Sequence, residues 1–215
     1  MTDYLKKEDT SKVFHYKDFI IELHPEVYDP AEDTFLLLEA INIKKDDSVL
    51  EIGTGCGLIA LECARLGANV ICTDINPYAV ELVKKNYLMN QNILKGNFEV
   101  RIGDLFSPVL SSEIFDVIIF NPPYLPTKKE ELVGGWFDKA TAGGKSGLLY
   151  TKRFIEELPI YLKDNGSAYF IFSTLSNREN LDLIFKKTKL YYEIIKCQNF
   201  DDETIDVYLI NKKRG

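Results

Sequence analysis

The sequence predicts one α/β domain, a seven-stranded sheet with helices on both faces and a C-terminal antiparallel hairpin. Three observations carry this expectation. Apolar runs of strand length alternate with helical stretches from Ser48 to Lys187, the pattern of a largely parallel sheet. The end of the chain then changes rhythm to two β-rich runs joined by Asp201-Asp202-Glu203. Finally, 215 residues, 46% of them apolar, are enough for one sizeable core.

Taken in order, Ser48–Ile52 is a short buried strand, and Leu58–Leu66 is the helix that follows its glycine-rich turn. Asn69–Thr73 is a second apolar strand. Pro77 suits the first turn of a helix running to about Met89, with Asn76 as its cap. Phe98–Ile102 and Phe115–Phe120 supply two more strands. Gly147–Leu158 is helix-like, Ser167–Phe172 is a strand after an Asn165-Gly166 turn, and Asn177–Lys187 is a last helix. Leu190–Phe200 and Thr204–Asn211 form the closing hairpin. Residues 125–146 are the longest poorly periodic stretch, and a loop of that length in a compact domain is usually functional. Residues 1–47 are expected to be an N-terminal extension that covers the crevice of a single 1–215 domain.

Composition narrows the function. The net charge of −7 disfavours a general nucleic-acid-coating surface, though it leaves room for a local basic groove. Lys128, Lys129, Lys139 and Lys145 read best as solvated loop lysines. No apolar stretch approaches a bilayer span, and the polar start MTDYLKKEDTSK does not look like a signal peptide, so a cytoplasmic protein is expected. Cys56, Cys63, Cys72 and Cys197 match no zinc pattern, and with only His15 and His24 beside them no metal site is expected.

Chemistry enters with VLEIGTGCGLIALECA, Val49 to Ala64. A strand ending in Glu51 runs into Gly53, Gly55 and Gly57, where backbone can approach a ligand closely at the C-terminal end of a sheet. The next strand ends at Asp74, placed to accept hydrogen bonds from two ribose hydroxyls, although a helix-capping role is the plainer alternative. Asp104, after FEVRIGD, is a candidate acceptor for an adenine amino group, with Leu105 or Phe106 lining the ring pocket. No Gly-Lys-Ser/Thr follows the first loop, which argues against a phosphate-loop ATPase, and Glu51 would repel a pyrophosphate. An adenosine cofactor with a cationic sulfonium and a free amino group suits this acidic crevice better. That cofactor is S-adenosylmethionine.

The strand FDVIIF ends on Asn121-Pro122-Pro123-Tyr124. Two prolines cannot continue a sheet ladder, so a turn with an asparagine cap is one reading. The other is a rigid acceptor site for a planar nitrogen, in which Asn121 Oδ1 and the Pro122 carbonyl take the two N–H bonds. Pro122 and Pro123 would stiffen that pair and Tyr124 would pack on the planar group.

EIGTGCG, TDINPYA, GDLF and NPPY together resemble motifs of S-adenosylmethionine-dependent methyltransferases acting on amide or amino nitrogens. VYDPAEDTFLLLEA, Val27 to Ala40, resembles the archaeal and eukaryotic HemK-like branch of protein glutamine N5-methyltransferases. The resemblance runs roughly from Glu22 to the end. It implies a Rossmann-like class I methyltransferase sheet and methylation of the glutamine in the GGQ motif of a class-1 translation release factor. It also implies a small zinc-binding activator protein over the edge around Asn97–Ile102. On the same resemblance PAEDT lies over the crevice, with Glu32 nearest the ligand and Asp33 and Thr34 as caps, while Trp136 and Phe137 either cover substrate or anchor the loop. Adenine-N6 nucleic-acid methylation, protein lysine methylation and a non-catalytic cofactor-binding module are the competing readings. The first of these lacks a base-reading domain here.

Overall fold

Alternation along the strands divides the apolar residues between the two faces of one sheet, and the helices follow that division. The computed structural model describes residues 12–213 apart from 129, 131 and 133. The expectations for the first eleven residues and for Lys129 therefore lie outside the described residues. Strands β3 (Ser48–Ile52), β4 (Asn69–Asp74), β5 (Phe98–Ile102), β6 (Phe115–Phe120), β7 (Leu162–Ser173), β8 (Leu190–Asn199) and β9 (Thr204–Lys212) form a sheet ordered β5-β4-β3-β6-β7-β9-β8. The first five are parallel, and β9 pairs antiparallel with both β7 and β8. This is the predicted sheet with its C-terminal hairpin, a Rossmann-like class I methyltransferase fold.

Val49, Val117, Ile119 and Ile171 face one layer, made by α1 (Glu32–Ala40), α2 (Leu58–Leu66) and α3 (Pro77–Asn90). Their neighbours Leu50, Ile118, Phe120 and Phe170 face the other, made by α5 (Leu149–Tyr161) and α6 (Arg178–Lys186). A strand period of two thus yields two buried cores from continuous apolar runs, as expected for a sheet covered on both sides.

Several local features depart from the expectations. An antiparallel hairpin, β1 (Val13–Tyr16) with β2 (Phe19–Glu22), precedes the sheet. Asn165-Gly166 lies in β7, at an irregularity in its pairing with β6, so the expected turn is a bulge inside a longer strand. Helix α5 continues past Pro159 for two residues instead of ending at Leu158. The loop 125–146 contains a short helix, α4 (Trp136–Thr141), and Leu125 bridges to Ala142 at its base.

Candidate active site

The chain reverses direction across the sheet between β3 and β6, and the loops after these strands flank a crevice at their C-terminal ends. Open α/β sheets bind ligands at such a switch point. Ile52 pairs with Phe120, which brings Gly53 and Asn121 side by side. A cavity of about 370 Å3 lies there, lined by both loops, by residues of the 27–34 segment and by α4.

The glycine loop is held from below. Gly53, Gly55 and Gly57 all have positive φ. At Gly57 a Cβ would also meet Val83 Cγ2 of α3 at 3.0 Å, so the loop can turn into α2 only without a side chain. Glu51 is buried, and its Oε2 accepts from Thr54 Oγ1 at 2.6 Å and from the Ala60 amide at 3.1 Å. It thereby ties the loop to the first turn of α2, and burial pushes its carboxyl up to about 8. Asp74 accepts from the Gly55 amide and the Asn76 amide, both at 2.9 Å. Burial raises its carboxyl above the ordinary range. The helix cap is Asn76, whose side chain accepts from the Tyr78 amide, so capping does not account for Asp74. Its carboxylate keeps acceptor capacity beyond those two bonds and lines the cavity.

Asp104 and Leu105 form the next wall. Asp104 sits at the rim in an ion pair with Arg153, 2.9 Å between Oδ2 and Nη2, a partner the sequence did not suggest. Leu105 is buried with φ 48°, a conformation that a branched side chain adopts only where its surroundings hold it. Phe106 faces away, stacked between Phe154 and Tyr161 in the core, so of the two candidates only Leu105 lines the cavity.

NPPY is braced from two sides. Asn121 Nδ2 lies 3.0 Å from Asp33 Oδ2, and the Tyr124 hydroxyl donates to the same oxygen at 3.3 Å. The Tyr28 hydroxyl lies beside that carboxylate as well. Burial, together with the Asp33 charge, drives both phenols well above the ordinary tyrosine range, so both are neutral donors at neutral pH. Behind the segment, Ser176 Oγ donates to the Tyr124 carbonyl at 2.6 Å. Gly147, at φ 72°, packs on the same place, where a Cβ would come within 2.4 Å of the Tyr124 carbonyl and 2.1 Å of Ser176 Oγ. Pro122 is buried, and Pro122 and Pro123 both line the cavity.

Asn121 Oδ1 is buried without a hydrogen-bond partner, one of two such side-chain atoms among the described residues. A buried amide oxygen left bare costs free energy unless a ligand completes it.

The PAEDT segment is at the site, and Asp33 reaches the cavity in place of Glu32 while also accepting from the Thr34 amide of the first turn. Glu32 is exposed and away from the cavity, whereas Asp33 is buried against NPPY. The acid in the first turn of α1 that points inward is the second of the pair, and one residue is a 100° rotation on a helix. Thr34 Oγ1 accepts from the Ala31 amide at 3.4 Å and helps start α1, as expected of a cap. Trp136 lines the cavity with Lys139 over its ring at 4.0 Å, and its amide donates to Glu26, while Phe137 is exposed. Tyr28, within the Val27–Ala40 motif but given no role by it, and Tyr150 complete parts of the wall.

The comparisons agree with this geometry. Residues 26–196 match the family model described as Methyltransferase small domain. A Methanocaldococcus jannaschii protein, provisionally named a protein N5-glutamine methyltransferase, is 47% identical over 160 residues, covering 74% of this chain and 78% of its own. Methyltransferase HEMK2 of Homo sapiens is 31% identical over 197 residues, covering 87% and 90%. Among solved structures, a chain of the E. cuniculi Mtq2–Trm112 complex responsible for methylation of the eRF1 translation termination factor aligns with a TM-score of 0.65. It is 24% identical and covers 87% of this chain and 99% of that one. The cavity, the glycine-lined strand ends and the spare acceptors of Asp74 suit an adenosine cofactor with a cationic tail. With this sheet order and these relatives, the protein is an S-adenosylmethionine-dependent methyltransferase, and it belongs to the methyltransferase small-domain family.

Proposed function

We propose that this chain transfers a methyl group from S-adenosylmethionine to the side-chain amide nitrogen of the glutamine in the GGQ motif of a class-1 translation release factor. The observation that carries it is the bare Asn121 Oδ1 at the junction of the two loops. An acceptor in that place asks for a ligand that brings an N–H. The names of the relatives, glutamine N5-methylation and methylation of a termination factor, make a glutamine amide the substrate that fits best.

Each part of the wall then has a task. Glu51, Gly53, Gly55 and Gly57 would shape the loop that receives the cofactor, Asp74 would accept from its ribose hydroxyls, and Asp104 and Leu105 would hold its adenine. Asn121, between the two loops, would adjoin both cofactor and substrate. S-adenosylmethionine supplies the methyl group when bound and leaves as S-adenosylhomocysteine, while the amide nitrogen gives up one of its two protons to solvent as the N–CH3 bond forms. An amide nitrogen is a poor nucleophile because its lone pair is delocalised into the carbonyl. Asn121 Oδ1 and the Pro122 carbonyl accept its two N–H bonds, orient it and draw electron density toward the nitrogen. Pro123 keeps that backbone stiff and Tyr124 packs on the amide plane. The substrate's two glycines carry no side chains and pass the rim with little hindrance. Tyr28, Pro30, Asp33 and Thr34 already line the cavity, which supports the segment up to residue 47 as the cover of a single 1–215 domain.

A small zinc-binding activator is the proposed partner, seated on β5, one of the two edges of the sheet. Among the described residues no helix is long and apolar enough to cross a membrane; a translation factor as substrate supports work in the cytoplasm. A competition assay tests the substrate assignment. The release factor with the activator, adenine-containing DNA and histone-like peptides are offered together. Methyl transfer to the factor, abolished by its Gln→Ala variant, is expected; transfer to DNA or to lysine with none on the factor would replace this reading.

A further inference from the structure

An asparagine side chain presents an acceptor on one side and a donor on the other, and a half-turn about its last torsion exchanges them. Position alone therefore does not make Asn121 an acceptor for substrate. Something must hold the amide the right way round, and the structure offers one group that does so. Asp33 Oδ2 lies 3.0 Å from Asn121 Nδ2. An ionised carboxylate only accepts, so it binds the amide nitrogen and turns Oδ1 away. The Tyr124 hydroxyl supplies a second donor to the same oxygen, and the Thr34 amide donates to the other oxygen at 2.6 Å, so the carboxylate is itself fixed. Asp33 is 3% exposed, so its oxygens are held chiefly by these protein groups.

We propose that Asp33 is a positioning residue that sets the polarity of the Asn121 amide, so that the site receives N–H donors and rejects acceptors. This rests on the proposed amide methylation for its kinetic consequence, while the orientation itself does not depend on which substrate is used. The charge makes the orientation one-sided. A neutral partner at position 33 could accept or donate, and substrate would meet a donor in a fraction of molecules.

The substitution Asp33→Asn makes a sharp reversal. Its Oδ1 must stay with the Thr34 amide, because a backbone N–H can only donate. Its new Nδ2 then faces Asn121, which turns its own oxygen toward it and presents Nδ2 to the cavity. Donor would meet donor at the substrate. A second change, Asn121→Asp in the Asp33→Asn background, restores the pattern: the new amide donates to one oxygen of the carboxylate at 121 and leaves the other for the substrate N–H.

Two measurements decide this. Neutron diffraction from deuterated crystals should place Asn121 Nδ2 toward Asp33 in the wild type and away from residue 33 in Asp33→Asn. The wild-type map alone suffices if the variant does not fold, and Oδ1 facing Asp33 there would overturn the proposal whatever the substrate is. In turnover with a GGQ-containing release factor, Asp33→Asn should lose ~100-fold or more in kcat, with KM for the factor changed less than about threefold. The double variant should regain at least ~10-fold of that loss. A single variant within about tenfold of wild-type kcat, or a double variant no better than the single, would also overturn it. A wild-type enzyme that leaves the factor unmodified would refute the proposed substrate, and the neutron map would still judge Asp33.

Discussion

Glu51 shows what a residue gives up to shape a binding loop. Its carboxyl is buried and accepts two hydrogen bonds on one oxygen. Burial nevertheless dominates and raises its pKa from 4.5 to about 8. Between those values the unfolded chain has released the proton and the folded chain still holds it. The folded state therefore binds more protons, and stability falls as pH rises through this window. The slope attributable to Glu51 is about 1.4 kcal/mol per pH unit there, and flat below and above it. Glu51→Gln keeps an acceptor for Thr54 and Ala60 and cannot ionise. Urea unfolding across that range should show the wild type losing stability with pH faster than the variant, and equal slopes would contradict the buried, protonated state. The sequence made Glu51, Asp74 and Asn121 visible because each stands at a strand end beside a recognisable turn. It could not reveal Asp33 as the partner of Asn121, since the contact spans 88 residues of chain and depends on which of two adjacent acids points inward.

Elements were legible in proportion to how much of their burial was local. Strands β3, β4, β5 and β6 begin and end within about a residue of their expected bounds, because each is an apolar run bracketed by turn residues. The β1–β2 hairpin escaped notice for the opposite reason. Its four-residue strands are mostly exposed on one side, and much of its anchorage comes from α3. Asn86 Oδ1 accepts from the Glu22 amide at 2.8 Å, and its Nδ2 reaches the Glu22 and Cys56 carbonyls. Asn90, one turn later, does the same for the amide and carbonyl of Ile20. Two asparagines on one helix face thus act as a missing strand along the edge of β2. Sequence spacing shows the pair, but nothing in it names the strand. Asn86→Ala should cost about 2–4 kcal/mol, since it strips partners from buried backbone groups. Denaturant unfolding reads this directly, and a loss below ~1 kcal/mol would mean that water or another side chain replaces the amide.

At the scale of the whole molecule, the topology explains why the site is where it is. The chain begins its sheet at the interior strand β3, builds outward to β5, then returns across β3 to lay down β6. Both chemically important loops therefore open at one crevice, and the segment before β3 is free to fold over it. The same topology leaves β5 and β8 as edges. On β5, Ile102 is 57% exposed, an apolar residue at an open strand edge of the kind that a partner or a second copy would cover. Ile102→Asp should weaken co-purification with a small zinc-binding activator without lowering cofactor affinity. Undiminished co-purification would move the partner to another surface. The open β8 edge was legible only as the outer strand of a hairpin, because strand order depends on crossovers that local patterns do not encode.

The proposed glutamine methylation turns on the bare acceptor of Asn121, which would receive the substrate amide. Its most direct test is fragment mass spectrometry of a class-1 release factor after incubation with S-adenosylmethionine, the activator and either the wild-type chain or Asn121→Ala. One methyl on the GGQ glutamine is expected with the wild type, and a rate at least ~100-fold lower with the variant, which should still bind S-adenosylhomocysteine. Equal rates from the two proteins, or a methyl on any residue other than that glutamine, would contradict it.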